Sequence, residues 1–223
     1  MQADIASPGD MPTVRIVDDD AAVRTSLLDL LRSADFQAVA FESPASLLGE
    51  DDLSAPGCIV LDVRLAGENG LDFQSRLQDD GIFTPVVMIT GHGDIPMTVR
   101  AMRAGAVDFL EKPFQDNDLI EAVERAIEKD RVGRIERDQQ SSIVGSGRRL
   151  SPREWEIMHA VVSGLMNKQI AADFGISEVT VKLHRSNVMK KMQARSLADL
   201  VRKAEVLKSN GVGAPARQKP AAP

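Results

Sequence analysis

The sequence predicts an α/β domain built on an open parallel sheet, followed by a smaller all-helical domain. Over residues 13–130, five short apolar runs alternate with helical segments of about ten residues, an order that favours a doubly wound sheet. The runs at residues 58–61 and 86–89 are apolar throughout, as expected of strands covered by helices on both faces. The remaining sequence has helix starts and stops but no comparable strand pattern.

The elements of the first domain are predicted from apolar runs and from the residues that end them. The predicted strands cover residues 13–17, 37–41, 58–61, 85–89 and 107–110. The predicted helices cover residues 21–33, a short segment after Pro44, residues 71–80, residues 95–104, and a long segment that begins near Asp116. Asp20 can cap the first of these helices, and Gly81 and Gly105 follow the ends of two others.

The second half of the chain predicts four helices with a helix-turn-helix order. Ser151-Pro-Arg-Glu154 is the pattern of a capping box with proline at the first helical position. Gly164 ends that helix, and a second helix at residues 168–174 is ended by Gly175. Ser177 can cap a third helix at residues 178–192, and a fourth is predicted at residues 196–207. A helix, a tight turn and a capped helix form the helix-turn-helix pattern.

The predicted domain boundaries are residues 12–130 and 150–208. Residues 131–149 are predicted to form a linker, helix-compatible to about Gln140 and flexible over residues 141–149. Residues 1–11 read as a loose leader, and residues 209–223 are rich in Pro, Ala and Gly, so both ends are predicted to be disordered.

Charge differs between the two halves of the chain. Residues 1–130 carry 10 Lys and Arg against 25 Asp and Glu, a net charge of −15, whereas the later residues carry 17 against 8, a net charge of +9. A basic half is a candidate for binding nucleic acid. We expect a cytoplasmic protein without a membrane partner, because we find neither a signal-peptide pattern nor an apolar stretch of about 18 residues. The single Cys58 is expected to be a buried, inert thiol.

Polar side chains follow four of the five predicted strands. Asp18 and Asp19 follow the first strand, Asp62 the third, Thr90 the fourth and Lys112 the fifth. Because the carboxyl ends of parallel strands meet at one edge of a sheet, we expect these side chains to lie together. Carboxylates gathered there favour a hard divalent cation, Mg²⁺ or Mn²⁺. An Asp carboxylate can also act as a nucleophile toward phosphorus.

Simpler interpretations exist for each residue of this set. The run from Asp18 to Asp20 could be a solvated loop with a helix cap, and Thr90 or Lys112 alone could be a turn hydroxyl or a surface lysine. Joint placement after four strands favours the phosphoryl and cation site.

Four motifs in the first domain resemble the receiver domain of bacterial two-component response regulators: VDDDAAVR, IVLDVRL, MITGHGD and FLEKPF. Residues 148–208 resemble the LuxR-type DNA-binding domain, and the order of the two domains resembles the FixJ subfamily of the NarL/FixJ regulators. The resemblance covers nearly the whole chain. It implies a flavodoxin-like sheet with the strand order 2-1-3-4-5.

The resemblance implies that Asp62 is the residue phosphorylated by a partner histidine kinase. Asp18, Asp19, Asp62 and the backbone carbonyl of Arg64 would hold Mg²⁺. In the loop after Asp62, Ala66 stands where relatives usually have proline, which puts the lifetime of an acyl phosphate in doubt.

The resemblance also implies contacts to the phosphoryl group from Thr90 and Lys112. Phe109 would be the switch aromatic, turning inward when Thr90 moves, although a plain core aromatic would show the same sequence. The Lys112–Pro113 peptide bond is implied to be cis, a geometry found mainly before proline.

The third helix of the second domain is the predicted recognition helix. Its inward face is expected to contain Val179, Leu183 in part, Val188 and Met192. The opposite face contains Lys182, Arg185, Ser186 and Lys190, a set suited to a major groove. The resemblance assigns base contacts to Lys182, Leu183 and Ser186, and phosphate contacts to Thr180, His184, Arg185 and Lys168.

The predicted function is DNA-binding transcriptional regulation switched by phosphoryl transfer to Asp62, with dimerisation and promoter binding as the result. The expected partners are a histidine kinase, double-stranded DNA, a second copy of the chain and RNA polymerase. No enzymatic activity is expected beyond phosphorylation and dephosphorylation of the receiver itself. One alternative is a phosphorylation-independent regulator, and a less favoured one is a metal-dependent phosphohydrolase of the haloacid-dehalogenase type, with Asp18 as nucleophile and Asp20 as acid/base.

Overall fold

The computed structural model describes residues 11–50 and 52–213, and the chain divides after Arg134 into two compact units. The strands of the first unit are β1 (Thr13–Val17), β2 (Gln37–Phe41), β3 (Gly57–Asp62), β4 (Arg64–Leu65), β5 (Glu68–Asn69), β6 (Val86–Thr90) and β7 (Asp108–Glu111). Its helices are α1 (Ala21–Ser33), α2 (Pro44–Glu50), α3 (Gly70–Asp79), α4 (Ile95–Arg103) and the first part of α5 (Asp116–Arg148).

Five strands form one parallel sheet in the order β2-β1-β3-β6-β7. This is the predicted order 2-1-3-4-5, so the flavodoxin-like fold is confirmed. β4 and β5 form a separate antiparallel hairpin after β3, which was not predicted because each strand has only two residues and therefore shows no periodicity.

Apolar side chains cover both faces of the sheet. β3 and β6 are buried along their whole length, as their unbroken apolar runs predicted. One buried cluster includes Phe73, Leu77 and Met88, and the other includes Leu31 and Leu119. The sheet is therefore a rigid platform, and the residues that follow its strands are held at one edge.

Helix ends in the first unit follow the predicted chemistry. The Asp20 carboxylate accepts hydrogen bonds from the amides of Ala22 and Val23 and so caps α1. Gly81 and Gly105 follow helices α3 and α4 with φ of 72° and 76°, a region that glycine adopts without a steric penalty.

The second unit contains the end of α5 and four further helices: α6 (Pro152–Val162), α7 (Asn167–Phe174), α8 (Glu178–Lys191) and α9 (Leu197–Ser209). The capping box of Ser151 and Glu154 is present. Gly175 ends α7 in the left-handed conformation, with φ of 62°, and leads into the Ser177 cap of α8. The predicted helix-turn-helix is therefore confirmed. Its core includes Trp155, Ile170, Val181 and Leu200.

The predicted flexible joint at residues 141–149 is wrong, because α5 continues to Arg148. Ile143 and Val144 pack against the core of the second unit. A Cβ on Gly147 would lie 2.5 Å from a methyl carbon of Leu207, so this glycine permits close packing within a helix rather than flexibility. Tertiary contacts here outweigh the low helix propensity of the sequence.

The predicted disordered ends lie mostly outside the described residues, which omit residues 1–10 and 214–223. Within the described part, the expectation is wrong for residues 209–213. Ser209 is the last residue of α9, and Val212 packs against the core of the second unit. Over residues 11–50 and 52–213, no helix combines the length and the apolar character that a membrane span requires.

Candidate functional site

Three strand ends, those of β1, β3 and β7, bring polar side chains together at the carboxyl edge of the sheet. One carboxylate oxygen from each of Asp18, Asp19 and Asp62 lies within 4.8 Å of the other two. The Lys112 Nζ donates to Asp18 Oδ2 at 2.7 Å and to Asp62 Oδ2 at 2.8 Å. These four residues are called the carboxyl-edge cluster below.

Backbone groups fix the orientation of two carboxylates of this cluster. Asp18 Oδ1 accepts from the Asp20 amide at 2.9 Å, and Asp62 Oδ1 accepts from the Arg64 amide at 3.0 Å. Both bonds are local Asx-type turns, which explains why Asp suits a position directly after a strand. Arg64 itself begins β4 with an exposed side chain, and its carbonyl remains a predicted metal ligand.

Two further groups support the site and were missed by the sequence reasoning. Arg24 Nη1 donates to the Asp18 carbonyl at 2.7 Å, and the Ala66 amide donates to Asp19 Oδ2 at 3.1 Å. Arg24 lies within the VDDDAAVR motif, six residues after Asp18, so its place on α1 near the strand end could have been inferred. The Ala66 contact could not, because it joins two loops 47 residues apart.

The charges of the carboxyl-edge cluster are unbalanced, with three carboxylates and one ammonium. Burial raises the pKa of Asp18, against the opposing effect of its hydrogen bond from Lys112. Burial alone would lower the pKa of Lys112, but the hydrogen bonds to Asp18 and Asp62 outweigh it and raise that pKa. An excess of carboxylate oxygens in one small pocket fits a hard divalent cation. Asp18, Asp19 and Asp62 are the side chains that would hold it.

The predicted switch residues Thr90 and Phe109 lie on β6 and β7, and the Lys112 amide donates to the Thr90 carbonyl at 2.7 Å. Thr90 is fully buried at the end of β6, and its hydroxyl donates to the His92 carbonyl at 3.3 Å. Phe109 is half-buried and packs against the core. A Cβ on Gly93 would lie 3.1 Å from the Phe109 ring and 3.5 Å from the Thr90 methyl carbon, so Gly93 sits against both side chains. The Lys112–Pro113 bond is cis, as the resemblance implied.

The predicted DNA contacts lie in α7 and α8 of the second unit. Lys182, Leu183 and Ser186 are exposed on α8, and Lys168 is exposed on α7. Thr180, His184 and Arg185 are half-buried. Arg185 Nη1 donates to Asn167 Oδ1 at 3.1 Å, which ties the two helices together.

The predicted inward face of α8 is partly wrong. Val188 and Met192 are buried as expected, but Val179 is 76% exposed and Leu183 is 60% exposed. Val181 is fully buried in their place. Val181 and Val188 are seven residues apart, which is two helical turns, so they lie on the same face of α8. The inward face predicted from the sequence is rotated about the helix axis relative to this one.

An acidic cluster suited to a divalent cation, on a five-stranded parallel sheet in a chain that also contains a helix-turn-helix unit, is typical of a DNA-binding response regulator. Comparison with known families agrees. Residues 14–124 match the response regulator receiver domain, and residues 148–204 match the luxR family of bacterial regulatory proteins. The chain belongs to the response regulators of two-component systems that carry a LuxR-type DNA-binding domain, and it is a transcriptional regulator.

Several proteins of this family are similar over most of the chain. Nodulation protein W of Bradyrhizobium diazoefficiens is 50% identical over 87% of this chain and 86% of its own length. The response regulator protein TmoT of Ectopseudomonas mendocina is 43% identical over 88% of this chain and 90% of its own. The transcriptional regulatory protein FixJ of Rhizobium meliloti is 45% identical over 86% of this chain and 94% of its own length.

Two solved structures cover both units. The response regulator StyR, 45% identical, matches 87% of this chain and 98% of its own with a TM-score of 0.78. Full-length FixJ from B. japonicum, 40% identical, matches 89% and 98% with a TM-score of 0.52.

Proposed function

We propose that Asp62 accepts a phosphoryl group from a sensor histidine kinase, and that this event controls DNA binding by the second unit. The supporting observation is the carboxyl-edge cluster, in which the Asp62 carboxylate accepts from the Lys112 ammonium at 2.8 Å and has an oxygen within 4.8 Å of the carboxylates of Asp18 and Asp19. Asp18, Asp19, Asp62 and the Arg64 carbonyl would hold Mg²⁺. A bound divalent cation supplies neutralisation of phosphoryl charge.

Phosphoryl transfer to Asp62 needs a carboxylate oxygen that can reach the phosphorus atom of the donor. An oxygen of Asp62 forms the new bond to phosphorus while the phosphorus–nitrogen bond of the donor phosphohistidine breaks, and the imidazole leaves with the electron pair. The Lys112 ammonium would exchange its hydrogen bond to Asp62 Oδ2 for one to the phosphoryl oxygens. The Thr90 hydroxyl, now bonded to the His92 carbonyl, would donate to them instead.

The added negative charge would shift the receiver between two conformations through Thr90 and Phe109. The active conformation would pair with a second copy of the chain, and the paired second units would bind two half-sites about one helical turn apart. RNA polymerase is the partner expected at the promoter. Because its DNA lies in the cytoplasm, the protein would act there.

In the second unit, α8 would enter the major groove with Lys182, Leu183 and Ser186 toward base edges. The expected phosphate contacts are made by Lys168, Thr180, His184 and Arg185. For Arg185 this contact requires that its hydrogen bond to Asn167 Oδ1 breaks. Binding should then weaken steeply with salt, with a log–log slope on the order of −5 to −8.

Phosphate-affinity electrophoresis combined with size-exclusion chromatography tests the proposal. With acetyl phosphate and Mg²⁺, the wild-type chain should give a retarded band and a larger apparent size. Asp62→Asn should give neither, whereas Asp79→Asn, which changes an exposed carboxylate at the end of α3, should behave as wild type. A retarded band that persists in Asp62→Asn would contradict the proposal.

The structure disfavours the phosphohydrolase alternative. That chemistry would use Asp20 as the acid/base. In this structure, Asp20 Oδ1 accepts hydrogen bonds from the amides of Ala22 and Val23 and caps α1. DNA affinity that is insensitive both to acetyl phosphate and to Asp62→Asn would favour the phosphorylation-independent regulator.

A further inference from the structure

The first turn of α8 presents an exposed apolar side chain on the surface that the proposed function assigns to DNA. Val179 is 76% exposed, and Leu183, four residues later on the same helix, is 60% exposed. Residues four apart lie on one helix face. Lys182 and Ser186 are exposed beside them, so this face combines a basic group, a hydroxyl and two apolar groups.

Two polar side chains at the start of α8, Ser177 and Thr180, are hydrogen-bonded at the helix cap, and Glu178 adds an exposed carboxylate. Ser177 Oγ accepts from the Thr180 amide at 3.1 Å and lies 2.8 Å from Thr180 Oγ1. These bonds hold Ser177 and Thr180 in the turn itself, whereas the Val179 side chain has no such partner group and is exposed to solvent. An apolar side chain at such a position gains free energy only if a partner covers it.

We infer that Val179 is a specificity-determining residue that contacts the 5-methyl group of a thymine in the major groove. This inference rests on the proposed insertion of α8 into that groove. The N-terminal residues of a recognition helix are the ones that reach base edges. Thymine is the base that presents an apolar group there, and small apolar side chains contact it.

The helix geometry places this thymine relative to the base that Leu183 reaches. Four residues of α-helix rise about 6 Å, and successive base pairs are separated by about 3.4 Å. The Val179 thymine should therefore lie one or two base pairs from the position that Leu183 contacts.

Deoxyuridine lacks only the 5-methyl group of thymine and so isolates this contact. The full-length wild-type chain, phosphorylated with acetyl phosphate and Mg²⁺, would first select its preferred site from a random DNA library. Each thymine of that site would then be replaced in turn by deoxyuridine, and the affinity measured for wild type, Val179→Ala, Leu183→Ala and Leu197→Ala. Leu197 is 43% exposed at the start of α9, and its variant is the matched control for losing an exposed apolar side chain.

We expect wild type and Leu197→Ala to lose about fourfold in affinity at one particular thymine, the value of one buried methyl group. Val179→Ala should bind the thymine-containing site less tightly and lose this uracil sensitivity. Leu183→Ala should keep it, and should change the preference one or two base pairs away.

The inference is overturned if Val179→Ala retains the same uracil sensitivity as wild type, or if wild type tolerates deoxyuridine at each position. It is also overturned if Val179→Ala leaves site preference unchanged and raises the DNA affinity of the unphosphorylated chain, since Val179 would then be covered by protein. Failure of wild type to enrich any sequence would instead refute DNA binding itself.

Discussion

Two charge clusters lie at opposite edges of the same sheet. The carboxyl-edge cluster has three carboxylates around one ammonium, Lys112. At the amino edge, Asp130 Oδ2 accepts from the Gly57 amide at 2.9 Å and from Arg134 Nε at 2.6 Å. Arg134 also donates to the carbonyl of Ala55 at 2.7 Å.

A second arginine completes the amino-edge cluster, defined here as Arg15, Asp130 and Arg134. Arg15 is 1% exposed within β1, and its guanidinium donates to the Asp52 carbonyl at 3.0 Å and to the Thr13 carbonyl at 3.3 Å. At this edge, two guanidiniums donate hydrogen bonds to one carboxylate and to several backbone carbonyl oxygens.

The difference between the clusters separates structure from function. At the amino edge, the buried carboxylate and both guanidiniums have hydrogen-bond partners, as a buried charge requires if it is to be tolerated. At the carboxyl edge, negative charge is in excess, which suits this edge to a divalent cation. In the proposed function, that cation would offset the negative charge of an incoming phosphoryl group. β3 connects the two, since Gly57 begins it and Asp62 ends it.

The largest expected effect concerns Cys58, which follows Gly57 on β3 beside the amino-edge cluster. Burial raises the pKa of this thiol to about 12. At a pH near 8, its thiolate population should be about a thousandfold below that of an ordinary exposed thiol. Reaction with Ellman's reagent should be correspondingly slow in the folded chain and fast in urea. Rapid reaction of the folded chain would show that this edge opens.

Removing Arg134 should destabilise the receiver strongly, because it takes away a charged hydrogen-bond donor of the buried Asp130 carboxylate. We expect Arg134→Ala to cost about 3 kcal/mol in the free energy of unfolding, measured by urea denaturation followed by circular dichroism. The matched control is Arg131→Ala on the same helix, whose pair with Glu128 is exposed and should contribute nothing measurable. Equal costs for the two variants would show that the amino-edge cluster has no special role.

Magnesium should stabilise the carboxyl edge selectively. At 10 to 100 times its dissociation constant, a ligand that binds only the folded state adds about 1.4 to 2.7 kcal/mol. Denaturation in Mg²⁺ and in EDTA should show this difference for wild type and for Asp79→Asn. Asp19→Asn should show little of it, because one carboxylate of the site is gone. A full magnesium effect in Asp19→Asn would place the cation elsewhere.

The smallest expected effect concerns Glu154, a buried carboxylate of the second unit. It forms an ion pair with a basic side chain, as Asp130 does at the amino edge. Lys191 Nζ donates to Glu154 Oε2 at 2.6 Å and the Ser151 amide donates at 2.8 Å. Burial alone would raise the pKa of Glu154, but these hydrogen bonds outweigh it and hold that pKa below its ordinary value of 4.5.

A lowered pKa gives this carboxylate a stabilising effect that is present above pH 4.5 and lost as the pH falls below it. Thermal melts followed by Trp155 fluorescence should therefore show a smaller loss of stability in acid for Glu154→Gln than for wild type. Glu205→Gln, at an exposed position of α9, should match wild type.

The carboxyl-edge cluster could be predicted from the sequence, whereas the amino-edge cluster could not. Asp18, Asp62 and Lys112 each follow an apolar run, and parallel topology alone brings strand ends together. Arg15, Asp130 and Arg134 have no such pattern. Arg15 interrupts a buried strand and Arg134 lies in a region that reads as a linker, so their environment depends on contacts between segments up to about 80 residues apart.

Helix phase and helix length were predicted less well for a related reason. The end of α5 contains glycines and serines that favour a joint, and its helical conformation depends on packing, of Ile143 and Val144 against the core of the second unit and of Gly147 against Leu207. On α8, Val179 and Val181 are equally apolar, and only the surrounding helices decide that Val181 is buried.

In the proposed function, charge added at Asp62 controls DNA binding by the second unit. The most direct test measures the affinity of the full chain for its selected DNA site with and without acetyl phosphate and Mg²⁺, in wild type and in Asp62→Asn. Phosphorylation should tighten DNA binding by the wild-type chain and leave the affinity of Asp62→Asn unchanged. An equal response of the two proteins, or none in wild type, would contradict it.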